Sequence, residues 1–135
     1  QPAFTPLCLD NLPTNGALLK RLTLTFAEAM NPVLAARIAQ VEFPSTMVDR
    51  IVPATTDPDR ADLTAKLGYV DNGMVKAEPF RQWVIEDRFP TGRPDWDLAG
   101  ALFVDDVQPF ETMKLRLLNG SHSAIAYLGA LAGYD

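Results

Sequence analysis

The stretch that begins at Pro109 contains four polar residues whose types and spacing are suited to proton transfer: Glu111, Lys114, Asn119 and His122. If the stretch is a helix with roughly 100° per residue and Lys114 is set to zero, Glu111 falls at roughly 60°, His122 at roughly 80° and Asn119 at roughly 140°. A desolvated lysine can act as a base near neutral pH, and amide N–H groups can hold an oxyanion. Together these groups suit the oxidation of an alcohol to a ketone, in which Lys114 takes the hydroxyl proton.

The same four residues also have plain structural interpretations. A lone lysine on a helix is usually solvated, and a lone histidine is usually a satisfied structural side chain. Glu111 lies in the predicted first turn, where an acid complements the helix dipole, and the pattern alone favours that interpretation over a proton relay. Because structural ion-pair networks also imitate active sites, the pattern leaves the catalytic hypothesis open.

Two residues upstream are further candidates for the same site. Asn11 follows an apolar run directly, and site residues often lie at the ends of strands. Asp49 could fix a substrate hydroxyl or pair with a cation. Each also has a plain alternative, since asparagine is an ordinary turn residue and aspartate an ordinary ion-pair partner.

Other conspicuous side chains point to packing or to the surface. The predicted core includes Trp83, Phe80 and Phe103, because aromatic side chains bury large apolar areas. Cys8 has no basic neighbour in sequence that would activate its thiol, which indicates packing. Arg93 lies in a loop rich in proline and glycine and is interpreted as a surface charge.

The composition excludes several classes of protein. The chain has 135 residues, a net charge of −5 and one cysteine. The negative charge argues against nucleic-acid or anionic-membrane partners, and one cysteine excludes an internal disulfide and a cysteine-based zinc site. No metal site is predicted, no run of about eighteen apolar residues is present and no signal peptide is visible, so a cytoplasmic location is expected. The first residue is Gln1, and we expect a piece of a longer protein.

Apolar periodicity predicts an α/β fold with mixed strands and helices before a final long helix. The predicted strands cover residues 4–9, 47–53, 77–80, 82–87 and 102–104, with a hairpin at 69–75, and the helices cover 17–31, 32–41, 58–67 and 109–131. Thr14 or Asn15 is expected to cap the first helix, and Pro32 to begin the second. The final helix should be largely buried, with a close approach at Gly120. A change of composition near residue 107 suggests domains of residues 1–106 and 107–135.

Five motifs carry a resemblance to a known family. They occupy residues 10–16, 43–53, 78–87, 92–94 and 114–123, in order along nearly the whole chain. In these stretches the sequence strongly resembles the long-chain mannitol dehydrogenase family, the polyol-specific dehydrogenases that include fructuronate and tagaturonate reductases. The resemblance implies the later part of a Rossmann-type N-terminal domain, followed by the first helix of a mainly helical C-terminal domain.

The family also implies an activity and a role for each candidate residue. The expected reaction is metal-independent, NAD- or NADP-dependent interconversion of a polyol or sugar acid with its ketose or keto acid. Carried over by motif, Lys114 resembles the catalytic base, Asn11 and Asn119 the oxyanion-type amides, and His122 the group that orients the substrate. Glu111 matches the acid that relays the proton, and Asp49 resembles a residue of the substrate pocket.

The motifs do not include the residues that would select the cofactor or the sugar. The chain contains no G-x-G-x-x-G fingerprint, so the resemblance does not choose between NAD and NADP, and the polyol or uronate is not defined. The alternative from another class is a non-catalytic binding or interaction module on the same scaffold. The isolated chain is expected to be inactive and to self-associate through an open sheet edge or the final helix.

Overall fold

The computed structural model describes residues 4–134, which contain several helices and a three-stranded sheet. In chain order the elements are α1 (Asn15–Met30), α2 (Pro32–Ile38), β1 (Thr46–Asp49), α3 (Asp57–Leu67), β2 (Gln82–Glu86), a 3-10 turn (Trp96–Ala99), β3 (Leu102–Val104), α4 (Gln108–Met113), a π-helical segment (Lys114–Asn119) and α5 (Gly120–Leu131). The strand order is β1-β2-β3, and β2 and β3 run parallel with Ile85 opposite Phe103. This confirms the α/β class. The chain divides into two compact units, residues 1–48 with 82–135, and residues 49–81.

The core of the first unit lies where the sheet meets the beginning of the last helix. Val84 of β2 and Val107 are fully buried, and Met47 of β1 packs with them. Val104 and Phe110 add partly buried contacts from β3 and α4. A strand that is buried on both faces has a continuous apolar run in its sequence. For this reason the strand around Val84 could be predicted from the sequence. This core holds the first turn of α4 against β1.

The two N-terminal helices confirm most of the expected boundaries. The second begins at Pro32, and the Asn31 side chain caps it by accepting from the N–H groups of Val33 and Leu34. Thr14 is the N-cap of α1, but its side chain makes no capping bond. Its φ of 47° places it in the left-handed region, where a non-glycine residue is uncommon.

Three extended segments that the sequence predicts are not formed as strands. Residues 4–9 are irregular, because the Cys8 carbonyl bonds to side chains and not to a neighbouring strand. The hairpin at 69–75 and the strand at 77–80 are also absent, although 72–73 form a turn. Tyr69, Val70 and Val75 are each more than 60% exposed, so no buried face stabilises a strand there.

Helix α3, in the second unit, begins with a complete capping box. The Thr56 hydroxyl accepts from the Asp59 N–H at 3.3 Å, and the Asp59 carboxylate accepts from the Thr56 N–H at 3.1 Å. The Lys76 ammonium, 2.8 Å away, holds the pKa of Asp59 below its usual range, with further hydrogen bonds from Thr56.

Substituting Thr56→Ala is expected to destabilise α3 by about 1 kcal/mol, because the cap satisfies N–H groups that have no intrahelical partner. Amide hydrogen exchange at Asp59 and Arg60 should then quicken about fivefold. The control is Thr25→Ala, an exposed mid-helix change in α1, which should have little effect or stabilise slightly. Equal exchange in the two variants would contradict a capping role for Thr56.

The final helix has the predicted extent but not the predicted burial. Leu117 is 67% exposed, and Ile125 and Leu128 are each 68% exposed. Phe110 in the first turn packs on the core, whereas within residues 4–134 no residue of α5 is buried. The expected close approach at Gly120 is also absent, since the nearest described atom to an added Cβ would be Leu115 O at 3.4 Å, an ordinary contact.

Arg93 connects its loop to Asp87 and Phe103 and is not the free surface charge that the sequence predicts. Its guanidinium makes two bonds to the Asp87 carboxylate, at 2.9 and 3.1 Å, and lies 3.2 Å from the centre of the Phe103 ring. The arginine holds the pKa of Asp87 below its usual range through that hydrogen bond. Arg93 thereby ties the loop to β2 and β3. Phe103 and Trp83 are half-buried, whereas Phe80 of the second unit is 55% exposed and is not a core residue.

Within residues 4–134, no helix combines the length and the apolar character that crossing a membrane requires.

Candidate functional site

A cavity of about 100 Å³ lies between the loop before α1, strand β1 and the start of the last helix. Every lining residue belongs to the first unit: Asp10, Asn11, Leu12, Pro13, Thr46, Met47, Val48, Glu111, Lys114, Leu115 and Asn119. Four of the six predicted site residues therefore line one cavity: Asn11, Glu111, Lys114 and Asn119.

The amine of Lys114 is held from two sides. Its Nζ donates to Asn11 Oδ1 at 2.8 Å and to the backbone carbonyl of Val48 at 2.6 Å. The side chain is half-buried. Both of these acceptors are neutral oxygens, and the two bonds orient the amine on the cavity wall.

The two candidate amides have donors available at the cavity. The oxygen of Asn11 accepts from Lys114, which turns its Nδ2 group away from the amine. Among the described residues no acceptor contacts Asn11 Nδ2 or the Asn119 side chain. Amide N–H groups in this arrangement can donate to an oxygen that gains negative charge.

Glu111 lines the cavity and is anchored to the N-cap residue of α1. Its Oε1 accepts from the backbone N–H of Thr14 at 2.9 Å. Thr14, which has the left-handed φ of 47°, is thus the residue that donates its N–H to this carboxylate. Glu111 lies three residues before Lys114 on the same helix and is half-buried at the cavity wall.

The helix is π-helical from Lys114 to Asn119. The Gly120 N–H bonds to the Leu115 carbonyl, five residues back instead of four. In an α-helix, residues five apart point about 140° away from each other. The wider turn brings both Lys114 and Asn119 to the cavity. Sequence periodicity assumes α-helical spacing and missed this feature, although π-turns often occur at functional sites.

The other two predicted site residues are not among those that line this cavity. His122 is exposed in the first turn of α5 and does not line the cavity. Asp49 is half-buried, ends β1 and is the first residue of the second unit. Their functional roles stay predictions.

Sequence reasoning missed two groups at the site. The Val48 carbonyl bonds to Lys114, but a backbone acceptor leaves no signal in residue types. Thr46 lines the cavity and bonds to Asn15, which the pattern assigned only as a possible helix cap. Both Thr46 and Asn15 lie inside the motifs that carry the family resemblance, and this was the signal that could have identified them.

Metal-binding side chains do not cluster in the part of the chain that the structure describes. Among residues 4–134 there is no group of three or more histidine, cysteine, aspartate or glutamate side chains with the geometry of a metal site. The residues that line the cavity instead include a lysine, two asparagines and two acids, Asp10 and Glu111. This donor set can move a proton and stabilise an oxyanion.

Two curated relatives are similar to nearly the whole of this chain. The chain is 56% identical to D-mannonate oxidoreductase from Escherichia coli strain K12 over 134 residues, and 48% identical to mannitol 2-dehydrogenase from Aspergillus terreus over 136 aligned positions. Each match covers 98% of this chain, but only 28% and 27% of the two relatives. The chain thus spans between a quarter and a third of their length.

Solved structures show the same relationship. The ternary complex of Pseudomonas fluorescens mannitol 2-dehydrogenase with NAD and D-mannitol matches with a TM-score of 0.82 and 51% identity, over 98% of this chain and 27% of that one. A substrate-free D-sorbitol dehydrogenase matches with a TM-score of 0.90 and 40% identity, over 98% and 28%. The model of the mannitol dehydrogenase Rossmann domain matches residues 1–98, and the model of the C-terminal domain matches residues 106–135. The chain therefore belongs to the mannitol dehydrogenase family.

Proposed function

We propose that this chain carries the proton-transfer half of the active site of an NAD(P)-dependent dehydrogenase that interconverts a polyol or sugar acid with its ketose or keto acid. The observation that carries the proposal is the placement of Lys114, whose amine is held at 2.8 Å by Asn11 and at 2.6 Å by the Val48 carbonyl on the wall of a cavity. The family of the chain supports the same activity. The proposal includes a domain border between residues 106 and 107.

In the proposed mechanism, Lys114 is the general base that removes the proton of the substrate hydroxyl. The side-chain amides of Asn11 and Asn119 donate to the oxygen as it becomes a carbonyl, and in the reverse direction they polarise that carbonyl. Glu111 passes the proton between the lysine and solvent. His122 orients the substrate beside the lysine, and Asp49 binds a substrate hydroxyl.

The cavity handles protons and needs a separate hydride acceptor, because no amino acid side chain can accept hydride. Lys114 and the two amides can serve the proton transfer and the developing carbonyl, and they leave the hydride to another group. A nicotinamide supplies hydride acceptance when it is bound. The chain contains no G-x-G-x-x-G fingerprint, so we assign none of its residues to the dinucleotide, and NAD or NADP are both included in the proposal. The mechanism uses no metal.

The substrate class rests on the relatives. One is named a D-mannonate oxidoreductase and another a mannitol 2-dehydrogenase, which supports a six-carbon polyol or the corresponding sugar acid. A carboxylate substrate also requires a cation to pair with. A cytoplasmic location and self-association of the isolated chain stay predictions from composition and from the exposed apolar residues of α5.

The test is a turnover assay of the full-length protein with mannitol and with mannonate, each with NAD⁺ and with NADP⁺. We expect formation of the reduced nicotinamide at about 1 s⁻¹ or faster with one pair, and none without the sugar. Retention of activity after treatment with a chelator would agree with the metal-free mechanism. If the protein binds these sugars but turns none of them over with either cofactor, the non-catalytic alternative replaces this proposal.

A further inference from the structure

We infer that Asn15 and Thr46 form a positioning pair that sets two acceptors of Lys114, Asn11 Oδ1 and the Val48 carbonyl. The inference rests on the proposed function, because it gives these residues a role in holding the proposed base. Neither residue is part of the proton-transfer set. Asn15 is 1% exposed and does not line the cavity, so it acts through its neighbours.

The side chain of Asn15 joins three parts of the chain. Its Nδ2 donates to the Asp10 carbonyl at 2.9 Å, to the Cys8 carbonyl at 3.2 Å and to Thr46 Oγ1 at 3.1 Å. Its Oδ1 accepts from the Thr46 N–H at 2.8 Å. The loop from Cys8 is thereby folded back on the first residue of α1 and attached to the first residue of β1. Asn11, the first acceptor of Lys114, lies in that loop.

The second acceptor is set through the open edge of β1. Alternate residues of a strand direct their backbone groups to opposite edges. Ser45 pairs with Glu86 of β2, since its N–H and carbonyl bond to the carboxylate and to the backbone N–H of that residue. The Thr46 N–H therefore faces the other edge, and the carbonyl of Val48, two residues later, faces the same edge. Asn15 binds this edge at Thr46, and Lys114 binds it at Val48.

The hydroxyl of Thr46 completes the connection. It donates to the Cys8 carbonyl at 2.6 Å while it accepts from Asn15. The loop that carries Asn11 and the strand that carries Val48 are therefore held in one register by a single buried network. A shift of either element would move one acceptor of Lys114 relative to the other. A displacement of about 1 Å can reduce a rate about 100-fold.

The test uses Thr46→Val in the full-length protein, because valine keeps the branched shape and removes only the hydroxyl. We expect kcat to fall about 10- to 100-fold, while the KM for the sugar stays within about twofold. Thr46→Ser restores the hydroxyl and should recover most of kcat. Asn15→Asp removes the Nδ2 donors at nearly constant shape and should lower kcat by at least as much, provided that it folds.

The matched control for lost stability is Thr56→Ala, which is in the second unit and should leave kcat unchanged. If Thr46→Val loses thermal stability but keeps the kcat of the control, or if Thr46→Ser is as impaired as Thr46→Val, the positioning role is wrong.

If the wild-type protein shows no turnover, that result contradicts the proposed function but does not decide the positioning role of Asn15 and Thr46. Crystal structures of the wild type and of Thr46→Val then decide the inference. We expect the distance from Lys114 Nζ to Asn11 Oδ1 or to the Val48 carbonyl to exceed hydrogen-bond range in the variant. Unchanged distances of 2.8 and 2.6 Å would overturn it.

Discussion

Replacing Lys114 with alanine in the full-length protein is expected to lower kcat/KM about 10²- to 10⁴-fold, the usual contribution of a general base. The amine is the group that meets both Asn11 and the Val48 carbonyl at the cavity wall, and alanine removes it without adding bulk. A small primary amine in the buffer should enter the vacated space and restore part of the rate. The measurement is steady-state turnover across pH, with and without the added amine.

The matched control is Lys66→Ala, which makes the same chemical change on α3. Lys66 is 71% exposed and pairs with Asp62 across one helical turn, a surface ion pair of little energetic value. We expect this variant to keep wild-type kcat/KM. Near-normal activity of Lys114→Ala, or a loss that added amines do not reduce, would make Lys114 a structural residue and would remove the proposed base.

The composition of the site could be predicted from residue types, whereas its geometry could not. A lysine and two amides in recognisable motifs, with an acid three residues before the lysine, indicated one site. Lys114, Asn11, Asn119 and Glu111 do line one cavity. The helical wheel nevertheless put Asn119 about 140° from Lys114, at the far edge of the sector that the four polar groups were expected to share, because it assumes that every turn is α-helical. A π-turn depends on how the helix packs at both ends, and periodicity does not record that.

The errors in the predicted fold have related physical causes. An apolar run can be a strand, a buried loop or part of a helix, and residues 4–9 became an irregular segment because Asn15 and Thr46 take the carbonyl of Cys8. The apolar circumference of α5 predicted burial, yet residues 4–134 leave Leu128 exposed. Apolar character shows that a surface needs a partner, and it does not show which segment provides one.

Two glycines show the difference between a signal in the local sequence and a steric constraint that arises only in the folded chain. Gly120 stood out in sequence because it interrupts a helix, but nothing crowds it among the described residues. Gly16 is the second residue of α1 and ends a run of turn-forming residues at 12–16. In the structure, an added Cβ at Gly16 would lie 2.5 Å from the Phe43 carbonyl oxygen and closer still to that of Pro44. Only the folded chain shows which glycine is required.

Substituting Gly16→Ala is therefore expected to have the largest effect on stability, a loss of about 3 kcal/mol in the free energy of unfolding. The obstructing atoms belong to the backbone of Phe43 and Pro44, which cannot rotate away as a side chain would. Relief requires the start of α1 to move away from the segment before β1. That movement would stretch the bonds between Asn15 and Thr46, at 2.8 and 3.1 Å. Activity should consequently fall together with the denaturation midpoint.

The control for Gly16→Ala is Gly73→Ala, in an exposed turn of the second unit. An added Cβ there would meet only the flexible Asp71 side chain, at 3.4 Å, and the backbone φ is not in the left-handed region. Because alanine restricts the unfolded chain, this variant should be neutral or stabilised by up to about 1 kcal/mol. Urea denaturation of both variants measures the difference. Equal midpoints would mean that α1 can move from Phe43 and Pro44 at little cost, and that the Asn15–Thr46 network does not hold the start of this helix in one position.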